Sequence, residues 1–392
     1  MIVLPLPSPI LIADASGLTS LARELAEEPT IAVDTESNSL FAYRERVCLI
    51  QFSTPERDYI VDPLLLSDLR ELGPLFTNPR QQKVFHAAEY DLLGLKRDYG
   101  FEFANLFDTK IAASTLGWPQ MGLAGIVEAH FGVKMNKRYQ RSNWGQRPLT
   151  PDQLDYARLD THYLLALRNL LEAELTAQGR VEEAYEAFAR LALVTEDSQP
   201  EATERFWRVN GARDLTPMQA GILREVYLYR EQQAAHSDRP PFKVMGEQTL
   251  LEIAKSCPKR LSDLKAVTGM TPGQIRRHGG ELLLAVKRGL LAPAPLPPHI
   301  ERTPDEVRER DEVRERYDCL HEWRKQIAQT RGVQSDVILP RQALWELARR
   351  VPRTLAELET IEHLSPWRRH AYGTEILMVL AESGQPSNPR DP

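Results

Sequence analysis

The sequence of 392 residues predicts an α/β domain followed by two all-α domains. The first half of the chain alternates short apolar runs, typical of strands, with segments of helical spacing. Strand signals disappear after about residue 200, and a helical pattern then occurs twice at a constant separation. A chain of this length is also too long for one ordinary core, so two or three domains are expected.

The expected elements of the first domain follow one another closely. Short apolar or alternating runs predict strands at 31–36, 47–53, 58–62 and 83–87. Helical spacing predicts helices at 89–99, 108–116 and 122–131, and a long one from about Thr150 to Leu175. The long helix has the clearest start, because Thr150 can cap it, Pro151 suits its first position and Gln153 can complete a capping box.

The second half contains two copies of one helical module, at 210–292 and 313–385. Matching residues are separated by a constant 94 positions without a gap, as Pro258 is from Pro352 and Gly279 from Gly373. A proline-rich and charged segment, 293–312, is expected to link the copies. The α/β domain is expected to span 1–195.

The bulk composition is that of a cytoplasmic protein that does not contact membranes. The formal net charge is −6, so nucleic-acid binding would have to come from local basic patches. The three cysteines lie far apart without metal-ligand spacing, as expected for reduced thiols. The start of the chain does not look like a signal peptide, and no stretch approaches the roughly 18 apolar residues of a membrane span.

Four acids and one tyrosine fall at positions that suit a two-metal site. Asp34 and Glu36 are two apart on a predicted strand and leave the same face. Asp91 follows a later strand, and Tyr156 and Asp160 share one face of the long helix. Each feature alone is common on solvated surfaces. Together, four carboxylates would repel one another unless divalent cations, which prefer oxygen ligands, lay between them.

These residues lie in segments that resemble the exonuclease motifs of the ribonuclease D family. The segments are DTE at 34–36, FHAAEYDLLGL at 85–95, FDTKIAASTLG at 107–117 and WGQRPLTPDQLDYARLD at 144–160. The resemblance spans about 28–175 and places the domain in the tyrosine-bearing (DEDDy) subclass of DEDD exonucleases. The helical modules resemble HRDC domains, which RecQ-type helicases and ribonuclease D share.

The resemblance implies a ribonuclease H-like mixed sheet flanked by helices. It also implies a 3′→5′ exoribonuclease that acts on single-stranded RNA ends, with tRNA precursors as the expected substrates, and releases nucleoside 5′-monophosphates. Asp34, Glu36, Asp91 and Asp160 would bind two divalent metal ions, Mg²⁺ or Mn²⁺, and Tyr156 would orient or deprotonate the attacking water. In the same comparison Asp108 is structural.

Basic segments are the candidate RNA contacts. The stretch 134–147 is rich in cations, has two aromatic residues and has no acid, so Lys137, Arg138 and Arg141 are candidates. The first helical module has an excess of cations, which includes Arg276 and Arg277, whereas the second is balanced. The first helical module is therefore expected to bind RNA. No protein partner is predicted.

Two other functions remain open from the residues. A DNA exonuclease of the same superfamily would use the same site, and no residue identifies a sensor of the 2′-hydroxyl group. A catalytically silent nucleic-acid-binding protein is the other alternative, although it would not need all four acids.

Overall fold

The computed structural model describes residues 6–196, 202–293, 295 and 304–383, and only the backbone of 202–203 and 304–310. Within these residues the strands are β1 (Ile10–Ile12), β2 (Thr30–Ser37), β3 (Val47–Ser53), β4 (Asp58–Val61), β5 (Gln82–Phe85) and β6 (Leu106–Asp108). They form a six-stranded sheet of order β1-β4-β3-β2-β5-β6 in the described part of the chain. β3 is antiparallel to β2 and β4, and the other pairs are parallel, so the predicted mixed sheet is confirmed.

Helices flank this sheet. They are α1 (Ala15–Glu27), α2 (Gly73–Thr77), α3 (Glu89–Tyr99), α4 (Thr109–Leu116), α5 (Leu123–Phe131), α6 (Pro151–His162), α7 (Leu164–Ala177) and α8 (Val181–Ala192), with a 3₁₀ turn at Arg70–Leu72. The prediction of one long helix from Thr150 to Leu175 is wrong in one respect. The segment forms two helices, α6 and α7, which are separated at Tyr163. The Tyr163 N–H donates to the Thr161 carbonyl oxygen, which tightens the chain between α6 and α7.

The central strands β2 and β3 differ in how far they are buried. β3 is buried along its whole length, as its apolar sequence predicts. β2 is buried at Ile31–Val33 and becomes partly accessible from Asp34 onward. The apolar first half of β2 therefore anchors the strand, and its polar end lies at the edge of a pocket.

The first helical module contains α9 (Ala202–Arg205), α10 (Pro217–His236), α11 (Pro241–Val244), α12 (Glu247–Ser256) and α13 (Pro272–Leu291), with 3₁₀ turns at Phe206–Arg208, Ala212–Asp214 and Asp263–Ala266. The second contains α14 (Pro304–Arg331), α15 (Ser335–Ile338), α16 (Arg341–Arg350) and α17 (Pro366–Glu382), with a 3₁₀ turn at Glu357–Thr360. The α/β domain and the two modules each have their own hydrophobic core.

The two modules repeat in backbone detail as well as in sequence. Cys257 and Val351, at equivalent positions after α12 and α16, both adopt a left-handed conformation, with φ of +47° and +46°. A Cβ atom on Gly279 would lie 2.7 Å from a Leu261 methyl carbon, and one on Gly373 would lie 2.9 Å from a Leu355 methyl carbon. The same close approach of a leucine to a helical glycine therefore occurs in both copies.

The predicted linker at 293–312 is partly helical. α14 begins at Pro304, where proline suits a first helical position and the following Glu and Arg residues favour helix. Residues 294 and 296–303 of the linker lie outside the described residues.

Both modules contact the α/β domain. The Tyr43 N–H, in the loop after β2, donates to Asp238 of the first module over 3.1 Å. The Trp367 N–H at the start of α17 donates to Glu186 of α8 over 2.7 Å. None of the described helices combines the length and the apolar character that a membrane span requires.

Candidate active site

Asp34 and Glu36 point from β2 toward helix α6. The hydroxyl oxygens of Ser53 on β3 and Thr161 on α6 are 2.7 Å apart, so the face of β3 that carries Ser53 is covered by α6. Gln51, two residues earlier, lies on that face and is directly opposite Asp34 in the β2–β3 register. Because opposed residues share a face of the sheet, Asp34 and Glu36 face α6 as well.

Helix α6 contributes Tyr156 and Asp160 to the same space. Its start is the predicted capping box: Gln153 N–H donates to the Thr150 hydroxyl over 3.3 Å, and Thr150 N–H donates to Gln153 Oε1 over 3.0 Å. Both Tyr156 and Asp160 are half-buried. The Tyr156 ring packs against the rings of Tyr139 and Trp144, with centroid distances of 6.2 and 6.0 Å. The basic segment before α6 therefore packs around this phenol.

Asp91, in the first turn of α3, is tied to the strand that carries the other acids. Its Oδ1 accepts hydrogen bonds from the N–H of Thr35 (3.1 Å) and from the Thr35 hydroxyl (2.5 Å). Thr35 lies between Asp34 and Glu36 in the chain, so this contact fixes α3 to the end of β2. Asp91 is buried.

One pocket of about 380 Å³ brings most of these groups together. Asp34, Glu36, Tyr156 and Asp160 all line it, and Asp91 lies behind its wall at Thr35. The other residues of the lining are Thr35, His86, Gly122, Leu123, Ala124, Met135, Asn136, Lys137 and Gln140.

Burial and mutual repulsion make the site unfavourable for negative charge. Burial, followed by the neighbouring carboxylates, raises the pKa of Asp34 and of Glu36 well above the usual range. Burial raises the pKa of Asp91 to about 7 in spite of the hydrogen bonds from Thr35, and raises that of Asp160 to about 7 with a contribution from Asp91. Burial and the nearby carboxylates also raise the pKa of Tyr156. A cation in the pocket would reverse this preference.

The donor set fits divalent metal ions. It offers carboxylate oxygens, the ligands that Mg²⁺ and Mn²⁺ prefer. Among the described residues no three His, Cys, Asp or Glu side chains lie close enough together to form a ready metal site, so the fit rests on the type of donor and on the shared pocket.

The candidate RNA-binding cations occupy different places. Lys137 lines the pocket of the acids, and Arg138 lines an adjoining pocket of about 300 Å³ that also contacts Tyr156. Arg141 is exposed on the same segment and lies outside both linings. Arg276 and Arg277 are exposed on α13 of the first module and also lie outside both.

Three further polar residues surround the acids. The Asp108 carboxylate accepts from the N–H groups of Ala88, Lys110 and Ile111, so its role is structural, as expected. His86 lines the pocket while its Nδ1 lies 2.9 Å from the Thr109 hydroxyl oxygen. Thr35, the partner of Asp91, was not among the expected site residues, and only its place between two acids marks it in the sequence.

Comparison with known proteins identifies the domain families of the chain. Residues 9–176 match the 3′–5′ exonuclease family, and residues 219–286 and 313–380 each match the HRDC domain family. Ribonuclease D of Pseudomonas paraeruginosa is 30% identical over 380 residues, which cover 94% of this chain and 96% of that protein. Exosome complex exonuclease RRP6 of Saccharomyces cerevisiae is 35% identical over 302 residues, which cover 72% of this chain and 40% of RRP6.

A solved structure extends the similarity to the whole fold. The crystal structure of Escherichia coli RNase D, described as an exoribonuclease involved in structured RNA processing, matches with a TM-score of 0.69 and 26% identity. The match covers 97% of this chain and 100% of that one. The shared architecture therefore includes the helical modules.

The exonuclease match contains β2, α3 and α6, which carry the four acids and Tyr156, so the protein is a hydrolytic 3′→5′ exonuclease of the DEDD class. Enzymes of this class generally use divalent metals. Similarity over nearly the full length, with both HRDC domains present, is more specific. The chain belongs to the ribonuclease D family of exoribonucleases.

Proposed function

We propose that this enzyme removes nucleotides from the single-stranded 3′ ends of RNA, with tRNA precursors as its substrates, by a two-metal-ion mechanism. The observation that carries the proposal is the pocket in which Asp34, Glu36, Asp160 and Tyr156 meet. Lys137 of the segment before α6 lines the same pocket, and Arg138 lines the adjoining one, where an RNA backbone would need neutralisation. The names of the relatives, ribonuclease D and an exosome exonuclease, favour RNA over DNA.

Asp34, Glu36, Asp91 and Asp160 would hold two divalent cations, Mg²⁺ or Mn²⁺. When bound, these ions would activate the attacking water and stabilise the leaving 3′-oxygen. Asp91 would contribute from behind Thr35, whose two hydrogen bonds keep its carboxylate in place.

Tyr156 would orient the attacking water with its phenol oxygen. Burial, followed by the neighbouring carboxylates, raises the pKa of this phenol, so it stays protonated. A protonated phenol can donate one hydrogen bond and accept others, which suits the placement of a water molecule.

The RNA would be held by cations and by aromatic surface. Lys137 at the pocket and Arg138 in the adjoining pocket would bind backbone phosphates near the 3′ end, and Arg141 would bind further along. Arg276 and Arg277 of the first module would bind the upstream RNA. The released products would be nucleoside 5′-monophosphates.

A direct assay tests this proposal. Single-stranded RNA labelled at its 5′ end would be incubated with the enzyme and Mg²⁺, Mn²⁺ or EDTA, beside a matched DNA and a tRNA precursor with a 3′ extension. We expect a ladder that shortens from the 3′ end of RNA, and its loss in EDTA and in Asp34→Ala. Glu56→Ala, at an exposed acid of the same domain, is the control.

The possible failures are distinguishable. Faster digestion of the DNA would favour the DNA exonuclease. Intact RNA in every metal, with RNA binding retained, would favour the silent binding protein. Digestion of plain RNA without removal of the tRNA 3′ extension would reject the assigned substrate alone.

A further inference from the structure

Gln51 is a fully buried amide with no hydrogen-bond partner among the described residues. Both Nε2 and Oε1 lack a partner, although the side chain has no accessible surface. Gln82, another buried amide of the same sheet, donates to Tyr185 and accepts from Arg168. An unsatisfied buried amide lowers the stability of the folded protein. A glutamine in the apolar strand β3 therefore suggests that its amide has a functional role.

Its position in the sheet places this amide beside the proposed metal ligands. Gln51 is directly opposite Asp34 in the antiparallel β2–β3 pair. Directly opposed side chains on one face have Cβ atoms roughly 4.5–5.5 Å apart. A glutamine side chain is long enough to reach a carboxylate at that separation.

Helix α6 covers the face of β3 on which the Gln51 side chain lies. The bond between Ser53 and Thr161 fixes the α6-facing side of β3, and Leu49, on the same side, packs in a cluster with Ala157 of α6. Gln51 lies between Ser53 and Leu49, so its amide is enclosed between the sheet and the helix that carries Tyr156 and Asp160.

We propose that Gln51 is a positioning residue for Asp34, and that its amide donates a hydrogen bond to the Asp34 carboxylate when the site holds its metal ions. This inference rests on the proposed two-metal function. Thr35 orients Asp91 in a comparable way through two hydrogen bonds. Groups that orient metal-binding carboxylates typically change metal affinity or activity by about 10–100-fold when removed.

The proposal predicts opposite effects on stability and on metal binding. Gln51→Leu replaces an unpartnered buried amide with an apolar side chain of similar size, so the metal-free protein should melt at a higher temperature. The same variant should bind Mn²⁺ about 10–100-fold more weakly. Its kcat should fall while its KM for RNA stays unchanged, because Gln51 lies outside the pocket lining.

The test is a titration of the full-length protein with Mn²⁺, followed by electron paramagnetic resonance, together with thermal unfolding in EDTA. Gln51→Met, which keeps the unbranched shape, serves if Gln51→Leu does not fold. Gln81→Leu is the matched control, because its amide donates to the carbonyl oxygens of Leu25 and Glu28 at 2.5 and 2.7 Å. It should lose stability and keep its Mn²⁺ affinity.

The outcomes separate this inference from the proposed function. Weaker Mn²⁺ binding by a metal-free protein of equal or higher stability would support the role of Gln51. Mn²⁺ binding equal to that of the wild type would overturn it. A wild-type protein that binds no Mn²⁺ at all would instead overturn the two-metal function.

Discussion

Arg331, at the end of α14, forms a double ion pair with Glu183 of α8. The Nη1–Oε1 and Nη2–Oε2 distances are 3.0 and 2.6 Å, and Glu183 is only 1% exposed. Arg331 also donates to the Tyr372 hydroxyl and lies over the Trp367 ring at 5.8 Å. This pair therefore joins the second helical module to the nuclease domain at a largely buried position.

Removal of Arg331 should destabilise the protein strongly. Arg331→Ala leaves the buried Glu183 carboxylate without its partner, which typically costs about 3–5 kcal/mol. Urea unfolding would measure the loss. Lys325→Ala, which breaks an exposed pair with Glu322 on the same helix, should cost below about 1 kcal/mol. Equal effects from the two substitutions would contradict a buried, structural role for the Arg331–Glu183 pair.

A methyl group at Gly117 should separate the second module from the nuclease domain. Gly117 has φ of +78°, and a Cβ there would lie 2.2 Å from the Gly332 carbonyl oxygen. Gly117→Ala should therefore add a clash to the backbone strain and increase the radius of gyration in small-angle scattering. Gly179→Ala is the control, because Gly179 has φ of +65° and a Cβ there would meet no atom within 4 Å. This substitution tests backbone strain alone, which should lower the stability by about 1–2 kcal/mol.

The metal-free enzyme should lose stability as the pH rises. Asp91 and Asp160 have pKa values of about 7 in the folded protein against 3.8 for the free side chain. The folded state therefore holds protons that the unfolded state releases, and this stability is fully present below pH 3.8 and lost as the pH rises through about 7. Unfolding in urea with EDTA at pH 5 and pH 8 would show the difference.

Mg²⁺ should then stabilise the protein more at pH 8 than at pH 5, since the ions compete with protons for the same carboxylates. Asp160→Asn should flatten both the pH dependence and the gain from Mg²⁺. A metal-free protein equally stable at both pH values would be inconsistent with the raised pKa values.

Loss of the Tyr156 hydroxyl should affect chemistry and leave binding intact. Tyr156→Phe should lower kcat by about 10²–10⁴-fold, the usual contribution of a proton-transfer or water-positioning group. Mn²⁺ and RNA affinities should be retained. Tyr139→Phe, which removes only a hydroxyl bond to Asp152, should keep most of the activity. A large loss of Mn²⁺ binding in Tyr156→Phe would assign it to the metal site instead.

Charge reversal on the first module should weaken RNA binding in a salt-dependent way. Arg276→Glu with Arg277→Glu should raise the dissociation constant for RNA and flatten its dependence on salt by about 0.7 for each phosphate that is no longer neutralised. Reversal of Arg349 and Arg350, an exposed pair on the second module, should have a smaller effect. Unchanged binding after the first pair of substitutions would exclude α13 from the RNA path.

Local patterns predicted much of the nuclease domain. The buried run of β3 and the apolar first half of β2 follow from their apolar residues, and the start of α6 follows from its capping box. The convergence of Asp34 and Asp160 could be inferred only because the motifs resemble a known family. Spacing alone shows that two side chains share a face, and leaves open which faces meet.

Other features left little trace in the sequence. β1 and β6 have three residues each, too few to show a period. Arg331 and Glu183 are 148 residues apart and carry no local pattern that links them. The sequence shows Gln51 as one amide in an apolar strand. That this amide has no hydrogen-bond partner depends on the packing of α6 against β3. Such features depend on tertiary packing.

Because the two modules have a constant spacing, a deletion in the gene can remove one whole repeat and preserve the alignment of the remaining helices. A recombination that joined residue 256 to residue 351 would delete one whole period and leave α10–α12 followed by the turn and helix α17 of the other copy. The hybrid would retain a complete set of module helices, with Gly373 still beside Leu355. It would lose α14 and with it Arg331, so a shortened descendant would keep an HRDC-like unit without this anchor on Glu183.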